Sequence, residues 1–151
     1  MRLAVLLSLA LGLGCRSTPA GGDQEPRLPT IPVTLPDGAV IRAELATEPA
    51  DQQRGLMYRT SLALDRGMLF VFPQPGLHPF FMYHTLIPLD IIWMDGSRQV
   101  VYLSANTPPC PSEQREKCPH YGGDRRAQFV LELAAGVAAK HGLKVGDKLR
   151  F

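Results

Sequence analysis

The sequence predicts an α+β fold that is mainly β: a compact, small barrel-like or curved antiparallel or mixed sheet with two short helices. Three observations lead there. Residues 67–96, GMLFVFPQPGLHPFFMYHTLIPLDIIWMDG, are an intensely apolar stretch that four prolines cut into short runs. Proline bars that stretch from being a membrane helix, and short apolar runs bounded by Pro and Gly are what buried strands look like. Turn signals at Pro36-Asp37-Gly38 and Asp95-Gly96-Ser97 each join two strand-like runs. Helix signals are brief and far apart, unlike the alternation of strand and helix in a doubly wound sheet.

Taken in order, Ile31 to Leu35 and Ala39 to Ala46 form a hairpin around Pro36-Asp37-Gly38. Val40, Arg42 and Glu44 take one face of its second strand and Ile41, Ala43 and Leu45 the other, so Arg42 and Glu44 are expected at solvent. Pro49 at a first helical position, with Asp51 near the positive end of the dipole, predicts a short helix through Arg54 that Gly55 ends. Leu56 and Met57 then anchor it to the core. Strands follow at Gly67 to Phe72, Pro79 to Tyr83 and Leu89 to Asp95, and the last turns into Gln99 to Ala105 as the expected core pair. Ala127 to Leu133 alternates Ala127, Phe129, Leu131 and Leu133 against Gln128, Val130 and Glu132, the pattern of a half-buried strand with a polar edge. A second helix, Ala135 to His141, stops at Gly142, and a closing strand runs from Lys148 to Phe151. No internal repeat is present.

The chain opens MRLAVLLSLALGLGC, one Arg, an apolar run and a small residue beside a cysteine, which reads as an export signal over residues 1–14. Ending at Gly14-Cys15, it resembles a bacterial lipoprotein signal with Cys15 as the lipidated first residue. Arg16, where an inner-membrane retention signal has Asp, then implies anchoring to the outer membrane, facing the periplasm. Ordinary cleavage nearby is the alternative. Residues 15–30, rich in Pro, Gly and charge, read as a lipidated flexible tether, and residues 31–151 as one domain with one core. Removing residues 1–14 takes one of 16 basic residues and none of 14 acidic ones, so the remainder carries +1. Lys and Arg are scattered, with no footprint for nucleic acid.

With Cys15 lipidated, Cys110 and Cys118 remain as an even pair in an oxidising compartment. A disulfide between them contributes about 2.5 kcal/mol by loop-closure entropy. The rival reading is a metal site, because Cys118-Pro119-His120 adds an imidazole to the thiols, but the spacing and a fourth ligand are missing.

The ordered set Glu48-Pro49, Arg54-Gly55-Leu56-Met57, Gly67-Met68-Leu69-Phe70-Val71-Phe72, Thr85-Leu86-Ile87-Pro88-Leu89-Asp90-Ile91-Ile92, Cys110, Cys118-Pro119 and Leu143-Lys144-Val145-Gly146-Asp147 resembles the prokaryotic domain of unknown function 192. The resemblance covers residues 31–151 and implies export but no activity. Two departures stand out. Tyr83 and His84 replace the Lys-like base and Asn typical of such chains, and Ala134 stands where a helix-capping Asn is common.

Four polar residues are candidates for a ligand-binding site: Arg54, His84, Asp90 and Asn106. Arg54, at a helix end, either clamps structure or binds a carboxylate. Asp90 either accepts hydrogen bonds at a strand edge or partners Arg54. Met82-Tyr83-His84 offers copper a thioether and an imidazole, although Met57, Met68, Met82 and Met94 are core filler by default. His78, His84, His120 and Asp90 with Ser61, Ser104 or Ser112 lack any triad context, so no catalytic residue, metal or cofactor is assigned. The reading that follows is a non-catalytic envelope module, held to the membrane by lipid, that binds a glycan, peptide or protein through those four residues and the stiff loop Asn106 to Cys110. An envelope hydrolase is the alternative, and a copper protein a third.

Overall fold

The structure is a computed structural model and describes residues 28–151. The signal sequence 1–14, Cys15 and the tether as far as residue 27 lie outside the described residues. Residues 28 to 30, counted above with the tether, are docked: the Leu28 N–H donates to Glu44 Oε2 at 3.3 Å and the Leu45 N–H to the Pro29 carbonyl at 2.9 Å.

Eight strands and two helices follow in the order β1 (Thr30–Thr34), β2 (Val40–Ala46), α1 (Pro49–Arg54), β3 (Arg66–Leu77), β4 (Phe80–Phe81), β5 (Leu89–Met94), β6 (Val100–Thr107), β7 (His120–Tyr121), β8 (Arg126–Ala134) and α2 (Val137–Lys140). Six strands form a curved mixed sheet in the order β1-β2-β3-β8-β5-β6, in which β2 and β3 run parallel and the other neighbours antiparallel. The sequence reading made the β5–β6 hairpin the core pair. Instead β8 inserts between β3 and β5 and leaves β6 at an edge, while all six residues of β5 are buried.

Three other elements differ from expectation. β3 runs beyond Phe72 through Pro73 and Pro75, and because proline has no N–H to donate, its ladder with β8 shifts register between Val71 and Gly76. The run from Pro79 to Tyr83 keeps only Phe80–Phe81 as strand, paired with β7 outside the main sheet, since Met82 to Thr85 turns and His84 adopts a φ of 52°. The closing strand reduces to two single bridges, Thr34 with Arg150 and Gln99 with Lys148, because this segment crosses from one sheet edge to the other.

Residues directly opposite on paired strands share a face, so the register sorts the sheet into rows. Leu69, Leu131 and Ile92 share one row with Leu45; Met68, Glu132 and Ile91 share the next, on the other face, with Glu44. The first face packs under α2 and the C-terminal segment, with Val137, Ala138, Leu143 and Leu149 in its cluster. The second packs under Leu56 and Met82, with Phe70, Trp93 and Val130. Both faces are therefore covered, and the alternation in β8 does not mark a solvent side. Glu44 is likewise buried: Arg59 holds it through Nη1–Oε1 at 2.5 Å and Nη2–Oε2 at 2.9 Å.

α2 starts later than Ala135, after Gly136 at a φ of 87°, and carries no capping side chain of its own. Its cap comes from β5. Cys110 and Cys118 are disulfide-bonded, with Cα atoms 5.4 Å apart, and the loop they close carries a 3₁₀ turn at Arg115–Lys117. No helix among the described residues is long and apolar enough to cross a membrane.

Candidate functional site

A cleft of about 280 Å³ opens on the second face, between α1, β3 and the segment from Leu77 to Phe81. α1 forms one wall. Gln52 ties it to the sheet by donating from Nε2 to the Val71 carbonyl at 2.8 Å, which leaves Gln53 and Arg54 along the lip. Gly55 follows with φ 47° and ψ −135°, a backbone state for which glycine is suited. A Cβ there would stand 3.3 Å from Phe70 Cζ and 3.8 Å from Glu132 Oε2, so the missing side chain keeps the floor of the cleft open.

Aromatic rings make the opposite wall. Phe80 meets Phe70 edge-on at 4.9 Å between centroids and Trp93 at 5.8 Å, while His78 stacks on Phe72. Trp93 Nε1 donates to the His78 carbonyl at 2.8 Å and pins the connection between β3 and β4. Arg115, on the disulfide-closed loop, lies with its guanidinium carbon 4.5 Å from the Phe81 ring centre, a cation–π contact that brings a second positive charge to the cleft.

Glu132, from β8, floors this space. It is buried, and its Oε2 has no hydrogen-bond partner. Burial pushes its carboxyl up to about 8, with the Arg59 charge pulling weakly the other way, so it is a neutral acid at pH 7. His78 Nε2 is the other buried polar side-chain atom without a partner among the described residues. Burial also holds the His78 imidazole below its usual range. A buried donor or acceptor left unpaired costs about 1–3 kcal/mol, and both of these belong to residues that line the cleft. Chemically, the cleft offers an apolar slot, a neutral carboxyl and two guanidiniums at the lip. A smaller hollow of about 190 Å³ lies behind Arg54 and Gly55, between Glu44, Arg59 and Met68.

The four sequence candidates do not form one site. Arg54 reaches the cleft, exposed and without an ion-pair partner among the described residues. Asp90 is fully buried on the first face and does not pair with Arg54; its Oδ1 accepts the Asn106 N–H and its Oδ2 the Ala138 N–H, each at 2.8 Å. This is the missing α2 cap, so Ala134 costs the helix less than its sequence position suggests. Asn106 takes part through its backbone, at a φ of 50°, with its side chain at the surface. His84 sits outside the cleft, stacked on Tyr83 and hydrogen-bonded through Nδ1 to the Tyr58 hydroxyl. Met82 is buried while His84 lies in a turn, so the two do not share a strand face as a copper pair would. Among the described residues no three His, Cys, Asp or Glu side chains are grouped to hold a metal ion.

Sequence reasoning missed Glu132, read as the polar edge of a strand, and did not place His78 in a site. The signal for Glu132 was an acid flanked by Leu131 and Leu133 in an otherwise apolar strand, legible only once both faces of β8 are known to be covered.

The family model for DUF192, "Uncharacterized ACR", matches residues 33–151. The chain belongs to the DUF192 family. A crystal structure of a protein of unknown function from Novosphingobium aromaticivorans DSM 12444 is 37% identical, covering 82% of this chain and 86% of its own, with a TM-score of 0.74. A second, from Sinorhizobium meliloti 1021 and provisionally named as a transcription regulator, is 28% identical over 79% of this chain and 89% of its own, with a TM-score of 0.68. No curated protein matches.

Proposed function

We propose that this DUF192 protein is an exported lipoprotein of the cell envelope whose domain is a non-catalytic binding module, with the cleft under α1 as its site. The observation that carries the binding reading is the buried Glu132 carboxyl, one oxygen unpartnered, at the floor of an aromatic slot large enough for a small ligand or one side chain of a peptide. The anchoring reading rests on the sequence: the apolar run ending at Gly14-Cys15, Arg16 after it, and the Pro- and Gly-rich stretch that would let the domain reach into the periplasm from the outer membrane. The disulfide fits an oxidising compartment. The name of the Sinorhizobium relative suggests nucleic acid as a partner, but the near-neutral charge and scattered basic residues here argue for another class.

Two measurements test this. Palmitate labelling of the wild type is expected to vanish in Cys15→Ser, and unchanged labelling refutes the anchor. Trp93, the only tryptophan, touches the cleft wall through Phe80 and reports occupancy by fluorescence. Titration with small aromatic compounds is expected to give single-site saturation with at least one; a flat response to all refutes the cleft as a binding site.

A hydrolase is the second reading, and one observation favours it: an acid held near pH 8 inside a cleft is suited to general-acid work. Aryl ester and aryl glycoside probes, with Glu132→Gln as control, are expected to show no turnover dependent on Glu132; turnover lost in that variant would reverse the choice.

A further inference from the structure

The polar groups of the cleft are specific enough to name what it binds. Resting on the binding-module reading above, we infer that the cleft takes a carboxylate joined to an apolar body, supplied either by a small free acid or by the C-terminal residue of a peptide. The lining carries the charges of Arg54 and Arg115 at its lips, and its carboxyl lies enclosed below them. While Glu132 keeps its proton there is no negative charge on the lining to balance the two guanidiniums. A ligand carboxylate resolves both features: one oxygen accepts the Glu132 O–H and the other faces Arg54, with charge-assisted hydrogen bonds replacing an orphaned acid. The apolar body then lies on Phe70, Phe72 and Phe80, and Gly55 leaves the path between lip and floor clear. A cation would meet both arginines at the entrance, and a plain hydrocarbon would leave Glu132 buried and unpaired.

The charge pattern also sets the direction of the pH dependence. Glu132 is faced by Arg59 from the segment after α1, itself bound to Glu44 of β2, by Arg54 from α1, by Arg115 from the 3₁₀ turn and by His78 from the β3–β4 connection. Arg59 is already paired and His78 is neutral by burial, so the group that titrates near neutrality is Glu132, at about 8. Its ionisation sets a carboxylate against a carboxylate. An acid ligand therefore binds below that pH and is released above it, whereas an amine ligand would follow the reverse course.

The test is titration of the full-length chain with 3-phenylpropionate, 3-phenylpropan-1-ol and 3-phenylpropylamine, read by Trp93 fluorescence between pH 6 and 9.5. We expect the acid to bind at pH 6.5 at least about tenfold more tightly than the alcohol or the amine, and to lose about tenfold for each pH unit above the Glu132 titration. Glu132→Gln is expected to keep binding the acid, through its amide donor, and to lose the pH dependence; Arg54→Gln is expected to weaken the acid several-fold and leave the alcohol unchanged. Tighter binding of the amine, rising toward pH 9, overturns the carboxylate assignment and leaves the binding-module reading standing. No response to any of the three removes both. N-acetyl-Gly-Gly-Phe and its C-terminal amide separate the sources: tight binding of the peptide acid alone assigns a peptide terminus, and its failure beside a retained 3-phenylpropionate site assigns a free acid.

Discussion

Two buried acidic side chains, one on each face of the same pair of strands, have opposite fates. Asp90 of β5 lies opposite Leu133, and Glu132 of β8 lies opposite Ile91, one row away and therefore on the other side of the sheet. Asp90 accepts two backbone N–H bonds, one from the β6 end and one from α2, and thereby fastens the helix to the sheet. Glu132 has an oxygen with no partner and opens onto a cleft. The first face is closed by α2 and a C-terminal segment that reaches both sheet edges; the second is roofed by a six-residue helix that ends in a glycine. Burial of an acid does not by itself distinguish framework from function. What distinguishes them is whether the fold satisfies the group it buries.

The largest effect expected from breaking this contrast is on the first face. Asp90→Ala leaves the Asn106 and Ala138 N–H groups without their acceptor and uncaps α2, at a cost of roughly 2–6 kcal/mol for two donors left unpaired. Urea denaturation measures it; a loss below about 1 kcal/mol would mean that Asp90 is not the strut described. The matching change on the second face acts through pH. The Glu132 carboxyl titrates near 8 when folded against an ordinary value of 4.5, so the unfolded chain ionises it first. Its contribution is fully present below about pH 4.5, is lost as pH rises to 8, and is flat beyond. Relative to Glu132→Gln, the wild type is expected to lose about 1.4 kcal/mol of stability for each pH unit in that window. Parallel stability curves for the two proteins would show that the acid is not held neutral.

The same contrast explains which parts of the molecule were legible in the sequence. The β1–β2 hairpin, α1 and the disulfide announce themselves through local signals: Pro36-Asp37-Gly38, Pro49 with Gly55, and the two cysteines beyond the export signal and tether, Cys110 and Cys118. β8 does not, because its place between β3 and β5 is set by pairings distant in sequence, and that placement covers the face of Val130 and Glu132, which reads locally as the polar edge of a half-buried strand. Asp90 stood out as a polar residue in an apolar run, and its burial was foreseeable. That its partners would be backbone groups of Asn106 and Ala138 was not, since no local pattern points across 48 residues. Of the four expected site residues, Arg54 alone lines the cleft, because α1 is the one expected site element that borders it.

Smaller changes sharpen the comparison by acting on the walls of the cleft. The Cys110–Cys118 bridge carries Arg115 to the Phe81 ring, so its removal tests stability and site together. Replacing both cysteines by Ser is expected to cost about 2.5 kcal/mol, the entropy of closing a short loop, and to free Arg115 from the lip. Thermal denaturation gives the first quantity, and NMR shifts of the Phe81 ring give the second. An unshifted Phe81 would show that Arg115 is held there by something other than the bridge.

The smallest change is at Gly55, and it separates the shape of the cleft from its charge. Alanine there takes on a strained positive φ, and its methyl meets Phe70 Cζ at 3.3 Å, tight enough that the ring must give by a few tenths of an ångström. The expected cost is about 1–2 kcal/mol, because a φ of 47° with a ψ of −135° lies outside the left-handed helical region that L residues occasionally adopt. The added methyl also stands 3.8 Å from Glu132 Oε2, on the way from the lip to the floor, so occupancy should suffer more than stability. Measured by Trp93 fluorescence, Gly55→Ala is expected to weaken whatever small aromatic compound the wild type binds while leaving the pH slope of stability intact, because Glu132 stays buried. A variant that loses the slope but still binds would mean that Glu132 ionises independently of the cleft, and the link between the unsatisfied acid and the binding site would be broken.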